Sequence, residues 1–294
     1  PETGRWRDQS HHGIAFSLTE NSLWETDLQG PGQILQTLQS EIESSQAENV
    51  IISSEILRRF CEHQNFSTVK TWIAENFDDV VLIVFLREQV TWLASMYNQL
   101  VKTPQIACHK GVEAFCEDFK KTADFNHLLN TWEDELKDVA YTVNVIPYRP
   151  QERSVIDDVL LVLDLDKQPF EDDEKKLVNP SLTRPAFDLI RNFNKYQMEG
   201  HKRSELNRSI VALFRKEAVS AIDGKWSVIS QALAQHLANH YQIPNAKVQK
   251  RYECTIDCEV SVVSREGWVP YNGLNERNFS KLVLESGAYG CFKC

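Results

Sequence analysis

Arg87 and Ser95 are the residues whose types and spacing most directly suggest chemistry. The arginine closes the apolar run Val80-Val81-Leu82-Ile83-Val84-Phe85-Leu86, and the serine follows eight residues later, in a helix-compatible segment that continues through Met96-Tyr97-Asn98-Gln99. A run this apolar suits a strand buried on both faces of a parallel sheet. In open α/β sheets, ligands sit beyond the carboxyl ends of such strands, where Arg87 would be. A guanidinium and a hydroxyl converging there could hold a phosphate, the first through its rigid fork of N–H donors and the second through one further hydrogen bond. The same spacing also fits an ordinary buried strand whose surface arginine pairs with Glu88 or another nearby acid.

Cysteine is the other residue type with chemical reach. Of seven cysteines, Cys61, Cys108 and Cys116 are scattered, while Cys254/Cys258 and Cys291/Cys294 form two close pairs. Two such pairs could make a four-thiolate zinc site, and disulfides or buried thiols explain them equally well. Asn65-Phe66-Ser67, Asn207-Arg208-Ser209 and Asn278-Phe279-Ser280 match the glycosylation triplet, which carries meaning only in a secreted protein.

The elements that must position these groups follow from hydrophobic spacing. Pro31 to Ala47 reads as an amphipathic helix with Ile34, Leu35, Leu38 and Ile42 on one face. Asn49 to Glu55 reads as a short strand, and Ser67 opens a helix with Trp72, Ile73 and Phe77 inside. With the strand ending at Leu86 these make a β–helix–β unit, which predicts a parallel sheet with right-handed crossovers. Helix is expected over Glu88–Lys102, Val112–Lys121 and Phe125–Leu136, and a strand over Ala140–Pro147. The second half is then mostly helical, with stretches at Ser154–Leu163, Arg184–Tyr196, Ser204–Ala221 and Lys225–Tyr241. The fold class expected is α/β, a central parallel sheet flanked by helices, with residues 1–243 as the main domain. Residues 244–294 read as a strand-and-turn segment, either appended or completing the same sheet.

Composition sets outer limits. An apolar fraction of 42% and a charged fraction of 25% are those of an ordinary globular protein. A formal net charge of -10 argues against broad nucleic-acid coating while leaving room for a local anion pocket. No apolar run reaches the length of about 20 residues that spans a bilayer.

Four segments, in order, resemble one family. They are Pro1-Glu2-Thr3-Gly4 with His11-His12-Gly13-Ile14-Ala15; Ile52-Ser53-Ser54-Glu55; Leu86-Arg87 with Ser95-Met96-Tyr97-Asn98-Gln99; and Val178-Asn179-Pro180-Ser181-Leu182 leading to Phe187-Asp188-Leu189-Ile190-Arg191-Asn192-Phe193-Asn194. Together they resemble the sulfotransferases that use 3′-phosphoadenosine 5′-phosphosulfate, particularly the bacterial-type branch, which have a P-loop-like fold. The resemblance implies that Arg87 and Ser95 bind the 3′-phosphate of the nucleotide co-substrate. It also implies an acceptor hydroxyl or amine, on a small molecule or carbohydrate, to which the sulfuryl group moves. That transfer needs a base to take the acceptor's proton. Glu55 is the first candidate and His12 the second; a helix-start glutamate and an exposed loop histidine are the plainer readings of the same two residues. Asn179 and Asn194 fit turns and helix ends better than substrate contact. No metal is expected.

The family places a Gly-Thr-rich loop with a lysine ahead of the region where this chain opens, and the loop cradles the 5′-phosphosulfate. The stretch most like it lies at the opposite end, Lys281-Leu282-Val283-Leu284 running into Gly287, Gly290 and Lys293. Circular permutation, a loop outside this sequence, or loss of the loop are the three explanations, and under the first Lys293 contacts the sulfate. A non-catalytic nucleotide-binding module and a P-loop phosphotransferase are the alternatives; absence of Gly-x-x-x-x-Gly-Lys-Ser/Thr weighs against the latter. The expected compartment is the cytoplasm, with a Golgi-type lumen as the alternative.

Overall fold

Seven β-branched or large apolar residues in succession favour extended chain, and Val80–Leu86 forms strand β1. A computed structural model describes residues 11–19, 29–45, 48–149, 153–166, 182–216 and 227–256. Its described elements, in order, are α1 (His12–Leu18), α2 (Pro31–Ser45), a 3₁₀ segment (Glu55–Glu62), α3 (Phe66–Asn76), β1, α4 (Gln89–Lys102), α5 (Val112–Asp118), α6 (Phe125–Leu136), β2 (Tyr141–Pro147), α7 (Val155–Val162), α8 (Arg184–Phe193), α9 (Gly200–Lys216) and α10 (Gln231–Tyr252). Among the described residues β1 and β2 are the strands, and they pair with each other. Val80 N donates to Ala140 O at 3.0 Å and Tyr148 N to Leu86 O at 2.8 Å, so residue numbers rise together along both strands and the pair is parallel.

The described residues are therefore mostly helical with a small parallel sheet, and one expected strand needs correction. Asn49–Ser54, extended at its last residue Ser54, joins no ladder. Its hydrogen bonds run to the chain just ahead of α1, where His11 N donates to Ser53 O at 3.4 Å and Ser53 N donates to His11 Nδ1 at 3.0 Å. The described residues also form no central sheet flanked by helices. β1 is accordingly not buried on both faces: Leu86 is buried, whereas Val81 is 44% exposed. The Lys281–Leu284 stretch lies outside the described residues. The helix expected over Lys225–Tyr241 begins at Gln231 and continues to Tyr252 through Pro244, across the boundary placed at residue 243.

Two compact units divide the chain, Pro1–Val84 with Phe125–Val145, and Phe85–Asp124 with Ile146–Cys294. In the first, the spacing Ile34, Leu35, Leu38 buries one face of α2 together with Ile14, Leu18, Phe60, Phe66 and Leu136. Trp132 fixes α6 within this unit. Its indole N–H donates to Arg58 O at 2.9 Å, and its ring meets Phe66 edge-on at 5.4 Å. In the second unit, α4 carries the core on Val90, Leu93, Tyr97 and Val101, one stripe of the helix, packed with Phe115, Phe187, Ile190, Ile210 and Tyr241.

The last carbonyls of α4 lack partners within the helix, and side-chain amides take their place. Asn194 Nδ2 donates to Val101 O at 2.8 Å, and Asn207 Nδ2 donates to Lys102 O at 3.0 Å. Arg203, itself buried, holds Asn194 in that role by donating to its Oδ1 at 3.1 Å and to Tyr196 O at 3.0 Å. The block Phe187–Asn194 thus does structural work on α4, as the helix-end reading of Asn194 predicts. Asn179 lies outside the described residues.

Candidate functional site

Arg87 follows β1 directly, half-buried, in the second unit. The bland account pairs it with Glu88, and the local geometry favours another use for that glutamate. Glu88 is the N-cap of α4: its carboxylate accepts from Val90 N at 2.8 Å, Thr91 N at 2.8 Å and Thr91 Oγ1 at 2.5 Å. A carboxylate placed there satisfies amides that the helix leaves without partners and sits at the positive end of the helix dipole. Glu88→Ala should lower unfolding free energy by about 1–2 kcal/mol in urea titrations, and an unchanged midpoint would mean that the cap contributes nothing.

With Glu88 so engaged, Arg87 has no carboxylate partner among the described residues, and its guanidinium lies over the Tyr148 ring, 5.9 Å from the centroid. Ser95 stands on α4, half-buried, on the helix stripe that carries Glu88 and Thr91. Seven residues of helix put it roughly 10 Å along the axis from the cap. Arg87 and Ser95 thus fall on consecutive elements of one unit, one at the tip of β1 and the other on the helix that follows.

The two candidate bases lie in the other unit, where the structure brings them near each other in a way that sequence separation does not suggest. His12 opens α1 and is half-buried, so it stands on a helix and not in the exposed loop of its plainer reading. Its Nδ1 lies 2.7 Å from Ser54 Oγ, and Ser54 caps the 3₁₀ segment by accepting from Ile56 N at 3.3 Å. Glu55 is the next residue and the first of that segment, exposed, with no partner among the described residues. A first-turn carboxylate also complements the segment's N-terminal dipole, so the helix-start reading of Glu55 describes its position correctly. The two readings are compatible, because an exposed carboxylate at a helix start keeps its lone pairs available. Lys293 lies outside the described residues.

Neither Ser54 as a helix cap nor Tyr148 as a neighbour of Arg87 stands out from the sequence alone. Ser54 had a usable signal, a helix-capping residue type just before Glu55. Tyr148 had a weaker one, its place at the end of the second strand of a parallel pair whose first strand ends in arginine.

Comparison with known protein families, curated proteins and solved structures finds no match to this chain. Among the described residues no group of three or more His, Cys, Asp and Glu side chains is arranged to hold a metal ion, and no helix is long and apolar enough to cross a membrane.

Thiol nucleophiles are disfavoured where the structure describes them. Cys61, Cys108, Cys116 and Cys254 are unbridged; Cys258, Cys291 and Cys294 lie outside the described residues. Burial, with Glu62 adding to it, pushes the Cys61 thiol up to about 12, and burial with Glu113 does the same to Cys116. The thiolate is the reactive form, so both should resist Ellman's reagent at pH 8 in the native protein and react once urea unfolds it. Each folded thiol keeps a proton that the unfolded chain sheds near pH 9, so stability should fall as pH climbs from about 9 toward 12. Rapid native labelling of Cys61 or Cys116 would contradict this.

Proposed function

We propose that this chain transfers a sulfuryl group from 3′-phosphoadenosine 5′-phosphosulfate to a hydroxyl or amine of a small-molecule or carbohydrate acceptor. The observation that carries the reading is Arg87: it stands at the carboxyl end of a parallel strand with no acid to neutralise it among the described residues, while the neighbouring Glu88 is committed to the α4 cap. An arginine so placed suits a phosphate, which its paired N–H donors match in shape and charge. Ser95, on the next helix, supplies a hydroxyl to the same 3′-phosphate. We also take β1 and β2 to belong to a larger parallel sheet flanked by helices, a reading supported by the exposure of apolar Val81.

In the transfer, the acceptor oxygen or nitrogen forms a bond to sulfur as the bond from sulfur to the 5′-phosphate oxygen breaks. The bonding pair leaves with adenosine 3′,5′-bisphosphate. A base must take the acceptor's proton, and the family resemblance implies Glu55 for that role, with His12 as the second candidate. The protein's task is to orient these groups and to meet the developing charge with fixed donors.

Thermal unfolding of the full chain with adenosine 3′,5′-bisphosphate tests the reading. At a concentration of a hundred dissociation constants the ligand should add about 2.7 kcal/mol of stability, a rise of several degrees in midpoint. A response to ATP with none to adenosine 3′,5′-bisphosphate would point to a phosphotransferase instead. Ligand binding without transfer to any acceptor would leave a nucleotide-binding module.

A further inference from the structure

We infer that Tyr148 is a positioning residue that carries the Arg87 guanidinium on its ring and holds it ready for a phosphate. The inference rests on the nucleotide reading of Arg87. Two observations within one unit support it, together with the general spacing of paired strands. The ladder bond from Tyr148 N to Leu86 O, 2.8 Å long, sets the residue after β1 beside Tyr148 on the neighbouring strand. Adjacent strands are about 4.8 Å apart, within easy reach of an arginine and a tyrosine side chain. The guanidinium carbon lies 5.9 Å from the ring centroid, inside the distance of about 6 Å at which a ring face attracts a cation.

The residue after Tyr148 is held in place as well. Arg149 Nη2 donates to Thr255 O at 3.2 Å, and Arg149 O accepts from Arg153 N at 3.1 Å. The ring itself is not core, since Tyr148 is 36% exposed. A partly exposed ring rooted beside a strand end can serve as a platform, and the cation over this one is Arg87.

The physical consequence concerns freedom. An arginine with no carboxylate to hold it samples many rotamers, and that freedom is lost when it clamps a ligand. A ring beneath the guanidinium plane restricts the side chain beforehand and leaves its N–H edge open, the edge that a phosphate uses. Tyr148 therefore acts on the 3′-phosphate alone, through Arg87, and not on the rest of the nucleotide.

Calorimetric titration of the full chain with adenosine 3′,5′-bisphosphate and with adenosine 5′-monophosphate separates these parts, because the ratio of the two affinities measures what the 3′-phosphate adds. Tyr148→Ala should cut that ratio about fivefold and leave the monophosphate affinity within twofold. Tyr148→Phe, which keeps the ring, should restore the wild-type ratio. If Tyr148→Ala does not fold, Tyr148→Leu keeps apolar bulk without the π face and should show the same loss. An unchanged ratio in the ring-less variant overturns the inference, as does an equal loss for both ligands, which would make the ring a platform for the base or sugar. Failure of the nucleotide reading looks different: the wild-type protein itself would then show no preference for the 3′-phosphate, and both readings would fall together.

Discussion

Arg87→Ala should weaken binding of adenosine 3′,5′-bisphosphate by about a hundredfold or more while leaving the fold intact. Two N–H donors to a phosphate make charge-assisted bonds, each worth roughly 1.5–3 kcal/mol, so their joint loss exceeds the 2.7 kcal/mol that corresponds to a hundredfold change in affinity. Stability should change little. Arg87 has no ion pair among the described residues, and its contact with the partly exposed Tyr148 ring is of the weaker cation–π kind. Arg87→Lys should fall between wild type and alanine, because an ammonium restores the charge without the planar fork. Calorimetry gives the affinities, and urea titration shows whether the variants remain folded. Wild-type affinity in a folded Arg87→Ala protein would remove the main support for the sulfotransferase reading.

The Arg87 region was legible in the sequence because its signals are local. Seven apolar residues ending on a charge specify a strand, and the spacing Val90, Leu93, Tyr97, Val101 specifies the buried stripe of the helix behind it. What was not legible depended on partners distant in the chain. Asn49–Ser54 has strand composition, yet a strand exists only where another supplies its ladder, and here His11 takes up the hydrogen bonds of Ser53. The loop reading of His12 fails because α1 is seven residues long, too short for a periodicity signal; its Ile14 and Leu18 become recognisable as core only once Phe60 and Phe66 are packed with them. The choice between Glu88 as partner of Arg87 and Glu88 as helix cap also lay beyond spacing arguments, since both positions are adjacent in sequence and only the backbone geometry of α4 separates them.

The largest expected effect on rate belongs to Glu55. Glu55→Gln should lower kcat by about 10²–10⁴, the range that a positioned general base contributes, with nucleotide affinity unchanged. Glutamine keeps the shape and the acceptor oxygen of glutamate, and it cannot receive a proton at ordinary pH. The exposed position of Glu55 at the start of the 3₁₀ segment makes the substitution mild for stability, because Ser54 continues to cap that segment through Ile56 N. His12 provides the discriminating comparison. If Glu55 is the base, His12→Ala should affect rate through the local structure it shares with Ser54, by a smaller factor than Glu55→Gln; if His12 is the base, the order reverses. Single-turnover measurement with saturating nucleotide isolates the transfer step from product release, so a full-rate Glu55→Gln enzyme would reassign the base, and loss of rate in Glu55→Gln alone would fix it.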